Sequence, residues 1–344
     1  MTSLTARIIR AGLFGSLLLG AMCGISCTDP QRLSLLNVSF DPTREFFGEI
    51  NAAFQKNWTA TNATTLRIQQ SHGGSAKQAR AVIDGLDADV VTLALGHDID
   101  RIAAETGILP RDWQQRLPNR STPYTSTVVF MVRKGNPKRI LNWPDLVRSG
   151  VQVITPNPKS SGGARWNYLA AYGWARRQPG GDDRSAREFV ARIFRNVPVL
   201  DSGARGATVT FLQRGIGDVL LTWESEAHQA LSHAEGLSGE IVTPSESIVA
   251  EPPVAVIDRN ARKHAVLPLA ECYLRFLYTE EAQMIAARHH FRPQLENAAM
   301  KAGVHFPPIV RFSLAEICGD WQAAHAAHFA TGGWFDQIQS QRKP

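Results

Sequence analysis

A chain of 344 residues has room for two domains, and its 44% hydrophobic and 20% charged residues are the make-up of a globular protein with a sizeable core. The formal net charge of +6 is spread along the chain without a long block of one sign, so charge by itself does not argue for nucleic acid. No internal repeat and no low-complexity tract breaks the pattern. The first predicted element is an export signal: Arg7 and Arg10 precede an apolar run, "AGLFGSLLLGAMCGIS", that is too short and glycine-rich for a membrane span. Residues 1–27 are therefore set apart from the fold, and without residues 1–26 the net charge drops from +6 to +4. Small residues before Cys27 resemble a lipoprotein processing site, although Gly24 stands where such sites usually carry Leu. A lipid-anchored Cys27 and ordinary signal cleavage are the two readings, and both imply export.

"LSLLNVSF" reads as a strand, "PTREFFGEINAAFQKNW" as a helix and "TTLRIQQS" as a second strand. A helix follows "SHGGS", and "DADVVTLALG" is apolar nearly throughout, as in a strand covered on both faces. This rhythm predicts α/β units with a parallel sheet. From Ser121, "STPYTSTVVFMVRKGNP" is a long extended stretch. The α/β rhythm then restarts through "VQVITPNP", "VPVLDS" and "DVLLTW", and "RRQPGGDDRSAR" (176–187) reads as a surface loop entering a helix. A second long extended stretch, "EIVTPSESIVAEPPVAVID", follows. Two α/β units joined by two extended segments predict two lobes with crossing strands. The expected division is 28–122 plus about 250–308 for the first lobe, about 123–249 for the second, and a C-terminal helical segment, 309–344, assigned to neither.

Three helix starts are rich in glycine and serine: "SHGGSAKQARAVIDG" from Ser71, "SSGGARWNYLAAYGWARR" from Ser160 and "DSGARGATVTFLQRG" from Asp201. The first amides of a helix lack intrahelical acceptors, the helix dipole adds partial positive charge there, and glycine lets a ligand approach the backbone. Ser75, Ser161, Gly162, Gly163 and Ala204 are the candidate anion donors, each where a strand gives way to a helix. Asp41 in "SFDPTRE" is expected to cap the first helix with Pro42 at its first position. Trp223 ends a strand and offers a neutral indole N–H. "GGSAKQ" lacks P-loop spacing, and no G-x-G-x-x-G follows a strand.

The collinear stretches "LLNVSFDPTRE", "QSHGGSAKQA", "DADVVTLAL", "PYTSTVVFMVRKGNPK", "VITPNPKSSGGARWNYLAA", "VLDSGARGATVTFLQRGIGDVLLTWE" and "IVTPSES" resemble the periplasmic sulfate-binding proteins of ABC-type sulfate and thiosulfate importers. The resemblance runs from about Leu35 to Gln337. It implies an α/β, two-lobed type II periplasmic binding fold, each lobe a mostly parallel sheet with flanking helices, with the anion in the cleft. It also implies a donor set of Ser75, the Ser161 hydroxyl, the Gly162 and Gly163 amides, the Ala204 amide and the Trp223 indole, with Asp41 near the site fixing donors. It implies an inner-membrane permease as partner, and no cofactor. A monomer located in the periplasm is expected.

A fully ionised tetrahedral anion carries only acceptors, so a pocket of N–H and O–H donors satisfies it. Phosphate near neutral pH keeps a proton that needs an acceptor, and a buried donor left unpaired costs about 1–3 kcal/mol. Asp41 is the one acceptor that would weaken this discrimination. An enzyme acting on phosphate or sulfate esters is the rival class, with His72 as a base or His325 and His328 as a metal pair. His72 reads better as structural or surface, and "HAAHF" as a solvated helix face. The scattered basic residues lack interleaved aromatics, so nucleic acid ranks last. Cys272 and Cys318 sit in apolar helical patterns and read as buried free thiols rather than as a disulfide.

Overall fold

The computed structural model describes residues 33–62, 64–232 and 239–341. The export signal, Cys23 and Cys27 lie outside the described residues. In chain order the strands are β1 (Leu33–Phe40), β2 (Leu66–Gly73), β3 (Val90–Thr92), β4 (Tyr124–Arg133), β5 (Val153–Pro156), β6 (Leu200–Asp201), β7 (Val219–Trp223), β8 (Gly239–Val242), β9 (Glu246–Ala250), β10 (Val254–Val256), β11 (Arg292–Pro293) and β12 (Val310–Phe312). The helices that bear on the site are α1 (Arg44–Thr61), α2 (Ser75–Ile83), α3 (Gly96–Thr106), α4 (Gly162–Arg176), α5 (Asp183–Arg195), α6 (Ala204–Thr208) and α7 (Glu224–Ser232).

The strands form two sheets, one per lobe. The first runs β10-β3-β1-β2, with β1 parallel to β2 and β3 and with β10 antiparallel to β3. The second runs β12-β9-β4-β7-β5-β6, with β8 and β11 also on β4. Here β5 is parallel to β6 and β7, while β4 is antiparallel to β7, β8 and β9. β4 is buried from Tyr124 to Val132 because partners flank it and layers cover both faces. Each fully buried Val, Phe or Met of that run contributes about 1.5–3 kcal/mol of apolar burial. No helix among the described residues is long and apolar enough to cross a membrane.

Two sequence expectations change here. "DADVVTLALG" pairs only over Val90–Thr92, since Leu93–Leu95 leave the sheet to enter α3. The second extended stretch is divided into β8, β9 and β10, and β9 and β10 belong to different sheets. The C-terminal segment packs on α4 and the second sheet. β12 pairs parallel with β9, and Phe312 lies so close to Gly173 of α4 that a Cβ there would overlap its ring.

The parallel strands bring their C-terminal ends to the cleft, where open α/β sheets hold ligands. β1 ends at Phe40, β2 at Gly73, β5 at Pro156, β6 at Asp201 and β7 at Trp223. Buried polar side chains lock these ends. Ser39 Oγ donates to Thr92 O at 3.0 Å, Thr43 Oγ1 to Phe40 O at 2.7 Å, and Gln78 Nε2 to Ser39 O at 3.1 Å. Across the second sheet, Asn167 Nδ2 of α4 donates to Leu221 O of β7 at 2.9 Å.

Candidate functional site

Between the lobes lies a cavity of about 20 Å³ lined by both. Its walls include Asp41, Pro42 and Ser75 from the first lobe and Ser161, Gly162, Gly163, Gly203, Ala204 and Glu226 from the second. Space on this scale admits one small species. Six of the seven predicted site residues line it. The seventh, Trp223, points its indole at the same spot. A Cβ built on Gly163 would lie 3.6 Å from Trp223 Nε1, 3.7 Å from Ser161 Oγ and 3.8 Å from Glu226 Oε1. Three polar side-chain atoms thus converge where glycine leaves room.

The lobes meet through bare backbone. A Cβ on Gly74 would be 2.9 Å from Ser160 O, and one on Gly162 would be 2.9 Å from Ala94 Cβ and 3.0 Å from Ser75 Cβ. Across the same seam Trp166 Nε1 of α4 donates to Ala94 O at 2.9 Å.

The donors fall into two groups. Ser75, Gly162, Gly163 and Ala204 occupy the first one or two positions of α2, α4 and α6, where amides have no intrahelical acceptor. Ser161 is the N-cap of α4; its Oγ accepts from Ala164 N at 3.3 Å, which leaves its proton for a ligand. Trp223 Nε1 is sealed from solvent and has no partner among the described residues. A buried donor in that condition costs about 1–3 kcal/mol, which an acceptor in the cavity would return.

Asp41 differs from expectation, and at Ser75 the available donor is the amide. Ser75 is the first residue of α2 rather than its cap, which is Gly74. Its hydroxyl is engaged, donating to Asp98 Oδ2 at 2.5 Å and accepting from Ala94 N at 3.1 Å, so its amide is the free donor. Asp41 is not the cap of α1 either. It opens a single 3₁₀ turn, Asp41–Thr43, capped by Phe40, with Pro42 second. Its carboxylate pairs with Arg44 at 3.5 Å.

Among the described residues, no lysine or arginine lines the cavity. The starts of α2, α4 and α6 instead present their positive dipole ends to it. Beneath Ser75, burial pushes the Asp98 carboxyl above its usual range, opposed by the charge of Arg165 on α4. Sequence reasoning missed Glu226. Its Oε2 accepts from Thr222 Oγ1 at 2.6 Å, while Oε1 is sealed and has no partner among the described residues. Burial drives its carboxyl up to about 7, and the Asp41 charge adds to the rise. Protonated, it is one more donor at the cavity wall; ionised, it is an acceptor. An acid three residues after the strand-ending Trp223 was the only signal, and it reads equally as a helix-start charge.

The histidines of the rival readings do not line the cavity. His72 is half-buried, with Nδ1 3.4 Å from Phe40 O, so it is structural. "HAAHF" is no solvated face: His328 is buried with Nδ1 3.0 Å from the Tyr168 hydroxyl, because the segment packs on α4. His325 stacks on His97 of α3 at 4.1 Å between ring centroids. No group of three or more His, Cys, Asp or Glu is placed to hold a metal among the described residues. Cys272 is free and exposed, not buried, and Cys318 is free and half-buried, its thiol pushed up to about 11 by burial.

A sequence model described as bacterial extracellular solute-binding protein matches residues 36–292. The sulfate-binding protein of Salmonella typhimurium is 52% identical over 327 residues, covering 95% of this chain and 98% of that protein. The thiosulfate-binding protein of Pseudomonas aeruginosa is 48% identical over 329 residues, covering 95% and 98%. Among solved structures, the sulfate-binding protein SubI from Mycobacterium tuberculosis superposes with a TM-score of 0.77 at 32% identity, covering 86% of this chain and 99% of that one. A periplasmic thiamin binding protein shares the fold at TM-score 0.60 and 16% identity. The two sheets, the glycine-built seam between them and these matches together establish that the chain belongs to the bacterial extracellular solute-binding proteins, transport components with the two-lobed type II fold.

Proposed function

We propose that the protein binds sulfate between its lobes in the periplasm and delivers it to an ABC-type permease in the inner membrane. One observation carries this reading: neutral donors from three helix starts, a serine hydroxyl and an indole converge on a cavity of about 20 Å³ whose wall holds no lysine or arginine. Such a set suits a dianion with four acceptor oxygens and no proton. The proposed ligands are the amides of Ser75, Gly162, Gly163 and Ala204, the Ser161 hydroxyl and the Trp223 indole. Asp41 lines the cavity from its 3₁₀ turn, with its backbone N–H also free of an intraturn acceptor. The first lobe is taken as 28–122 with about 250–308, and the second as about 123–249. Residues from 309 onward join the second lobe, as the β12–β9 pairing supports. The similarity to sulfate- and thiosulfate-binding relatives supports the ligand class, and thiosulfate is the second reading because one relative at 48% identity carries that name.

The test is calorimetric titration of the mature protein, stripped of anion, with sulfate, thiosulfate, phosphate and molybdate. One-site sulfate binding without comparable phosphate competition is the expected result. Silence towards sulfate with heat from another oxyanion would keep the site and overturn the ligand.

A further inference from the structure

We propose that the stacked rings of His97 and His325 are positioning residues that tie closure of the cleft to pH, so that mild acid loosens the bound anion. This inference rests on the sulfate reading and the lobe division above. His97 is the second residue of α3, in the first lobe, three residues beyond Ala94, whose carbonyl accepts from Trp166 of α4 across the seam. His325 belongs to the C-terminal segment, which the second lobe holds. There Trp321 meets Trp166 edge to face at 4.7 Å between centroids, the Tyr168 hydroxyl is 3.0 Å from His328 Nδ1, and Lys159 Nζ donates to Phe329 O at 2.9 Å. The segment reaches over the seam at two points. Trp321 Cδ1 lies 3.5 Å from where a Cβ on Gly96 would be, and His325 stacks on His97 at 4.1 Å with the rings 21° apart.

The stack suits two neutral rings. His97 Nε2 and His325 Nδ1 are both sealed from solvent and have no partner among the described residues. A proton on the pair would face cations from the elements packed around it: Arg101 on α3, Arg165 on α4 and Lys159 just before α4. The carboxylates nearby are engaged elsewhere. Asp98 faces Ser75 and Arg165, Asp100 accepts from Trp113, Glu105 pairs with Arg101, Asp336 pairs with Lys159, and Asp320 caps the Ala323 amide. Burial foremost, then the neighbouring positive groups, hold His97 down at about 3 and His325 below its ordinary value. Parting the lobes returns water to both rings, which can then take a proton nearer the ordinary 6.5. Below about pH 6.5 the parted form therefore binds more protons than the closed one, and acid favours the form that does not hold the anion. Sulfate stays a dianion throughout, so the change belongs to the protein. Glu226 has the opposite sign, since protonation gives the cavity wall one more donor. A second stack, His228 on His290 at 3.8 Å, has the same sign as the first and lies beside β11, so variants of the first pair leave it in place.

The experiment is calorimetric titration of sulfate into the full mature protein, stripped of anion, at steps from pH 7 to pH 5. Wild type is compared with His325→Phe, which keeps a ring and loses the proton site, and with His97→Gln, should the larger ring not fit. Wild type should bind about 5- to 25-fold more weakly at pH 5 than at pH 7, the upper figure being one histidine that fully regains its ordinary value. It should also release protons on binding near pH 6, read as heats that depend on the ionisation enthalpy of the buffer. Either variant should bind within about threefold of wild type at pH 7 and weaken at least about threefold less than wild type by pH 5. Urea unfolding of the anion-free protein at each pH keeps loss of binding apart from loss of fold. Wild-type affinity constant within twofold over the window overturns the proposal, as does a decline that tracks unfolding, or an equal decline in both variants, which would pass the effect to His228 and His290. A wild type silent towards sulfate at pH 7 overturns the ligand reading instead. The same series with thiosulfate, which also carries no proton in this window, then decides the pair.

Discussion

Substituting Gly162 by alanine isolates the closed state. A methyl group there would sit 2.9 Å from Ala94 Cβ, 3.0 Å from Ser75 Cβ and 3.2 Å from Leu95 Cγ, all in the first lobe, while Gly162 belongs to the second. Ala94 and Ser75 Cβ are bonded to backbone and cannot rotate aside, so the lobes must part by a few tenths of an ångström. Overpacking of this degree costs about 1–3 kcal/mol. The cost is charged only to the closed, anion-bound form, since parted lobes give the methyl open space. The dissociation constant for sulfate should rise about 5- to 150-fold. Anion-free stability should hold steady or increase slightly, because alanine favours helix over glycine. The assays are titration calorimetry for affinity and urea unfolding for stability. Affinity within twofold of wild type would refute closure of the seam around the anion. Equal losses of affinity and anion-free stability would mean that Gly162 serves folding rather than closure.

Trp223→Phe keeps a ring beside Phe40, now 5.5 Å from the indole, but removes a donor without a partner among the described residues. Sulfate affinity should fall about 10- to 150-fold, the worth of a hydrogen bond to a charged group, as read by calorimetry. Ser161→Ala should lower both quantities, costing about 1 kcal/mol of stability through the lost cap on Ala164 as well as affinity; a purely thermal or purely binding defect would contradict its double role. Acid should weaken the fold through histidines that folding desolvates. Burial holds His97 near 3 and His328 and His290 near 4 in the folded protein, against an ordinary 6.5 when unfolded. The unfolded chain therefore binds more protons below about pH 6.5, so stability is complete above that value and drains as pH falls towards 4. Urea midpoints should decline over this window, and a midpoint constant from pH 7 to pH 4.5 would refute the assignment.

The α/β rhythm was legible because buried parallel strands such as β5 and β7 are written as short apolar runs, each followed by a helix. The candidate anion site was legible for a related reason. Glycine and serine at three helix starts are an unusual density of exposed amides, and each start proved to line one cavity. What escaped depends on long-range packing. Asp41 reads as a cap, yet the chain needs a 3₁₀ turn before α1 to bring Pro42 to the seam. Ser75 reads as a donor, but its hydroxyl is drawn off by Asp98, 23 residues away, which leaves the amide. His328 looks solvent-facing until the C-terminal segment folds back on Tyr168, 160 residues earlier. Glu226 carries no local sign of burial, because it shares its cavity wall with Asp41 and Pro42, far away in sequence on the opposite lobe.

The indole of Trp223, without a partner among the described residues, should make the protein its own sensor. Five other tryptophans already donate within the protein: Trp58 to Thr64, Trp113 to Asp100, Trp143 to Glu246, Trp166 to Ala94 and Trp334 to Arg187. Their ring N–H resonances have no reason to gain an acceptor when an anion arrives. Trp223 does, and hydrogen bonding to an oxyanion deshields an N–H strongly. In a nitrogen-15 spectrum of the indole region, occupancy of the cleft should therefore be read from one peak moving downfield, residue by residue assignment of the backbone being unnecessary.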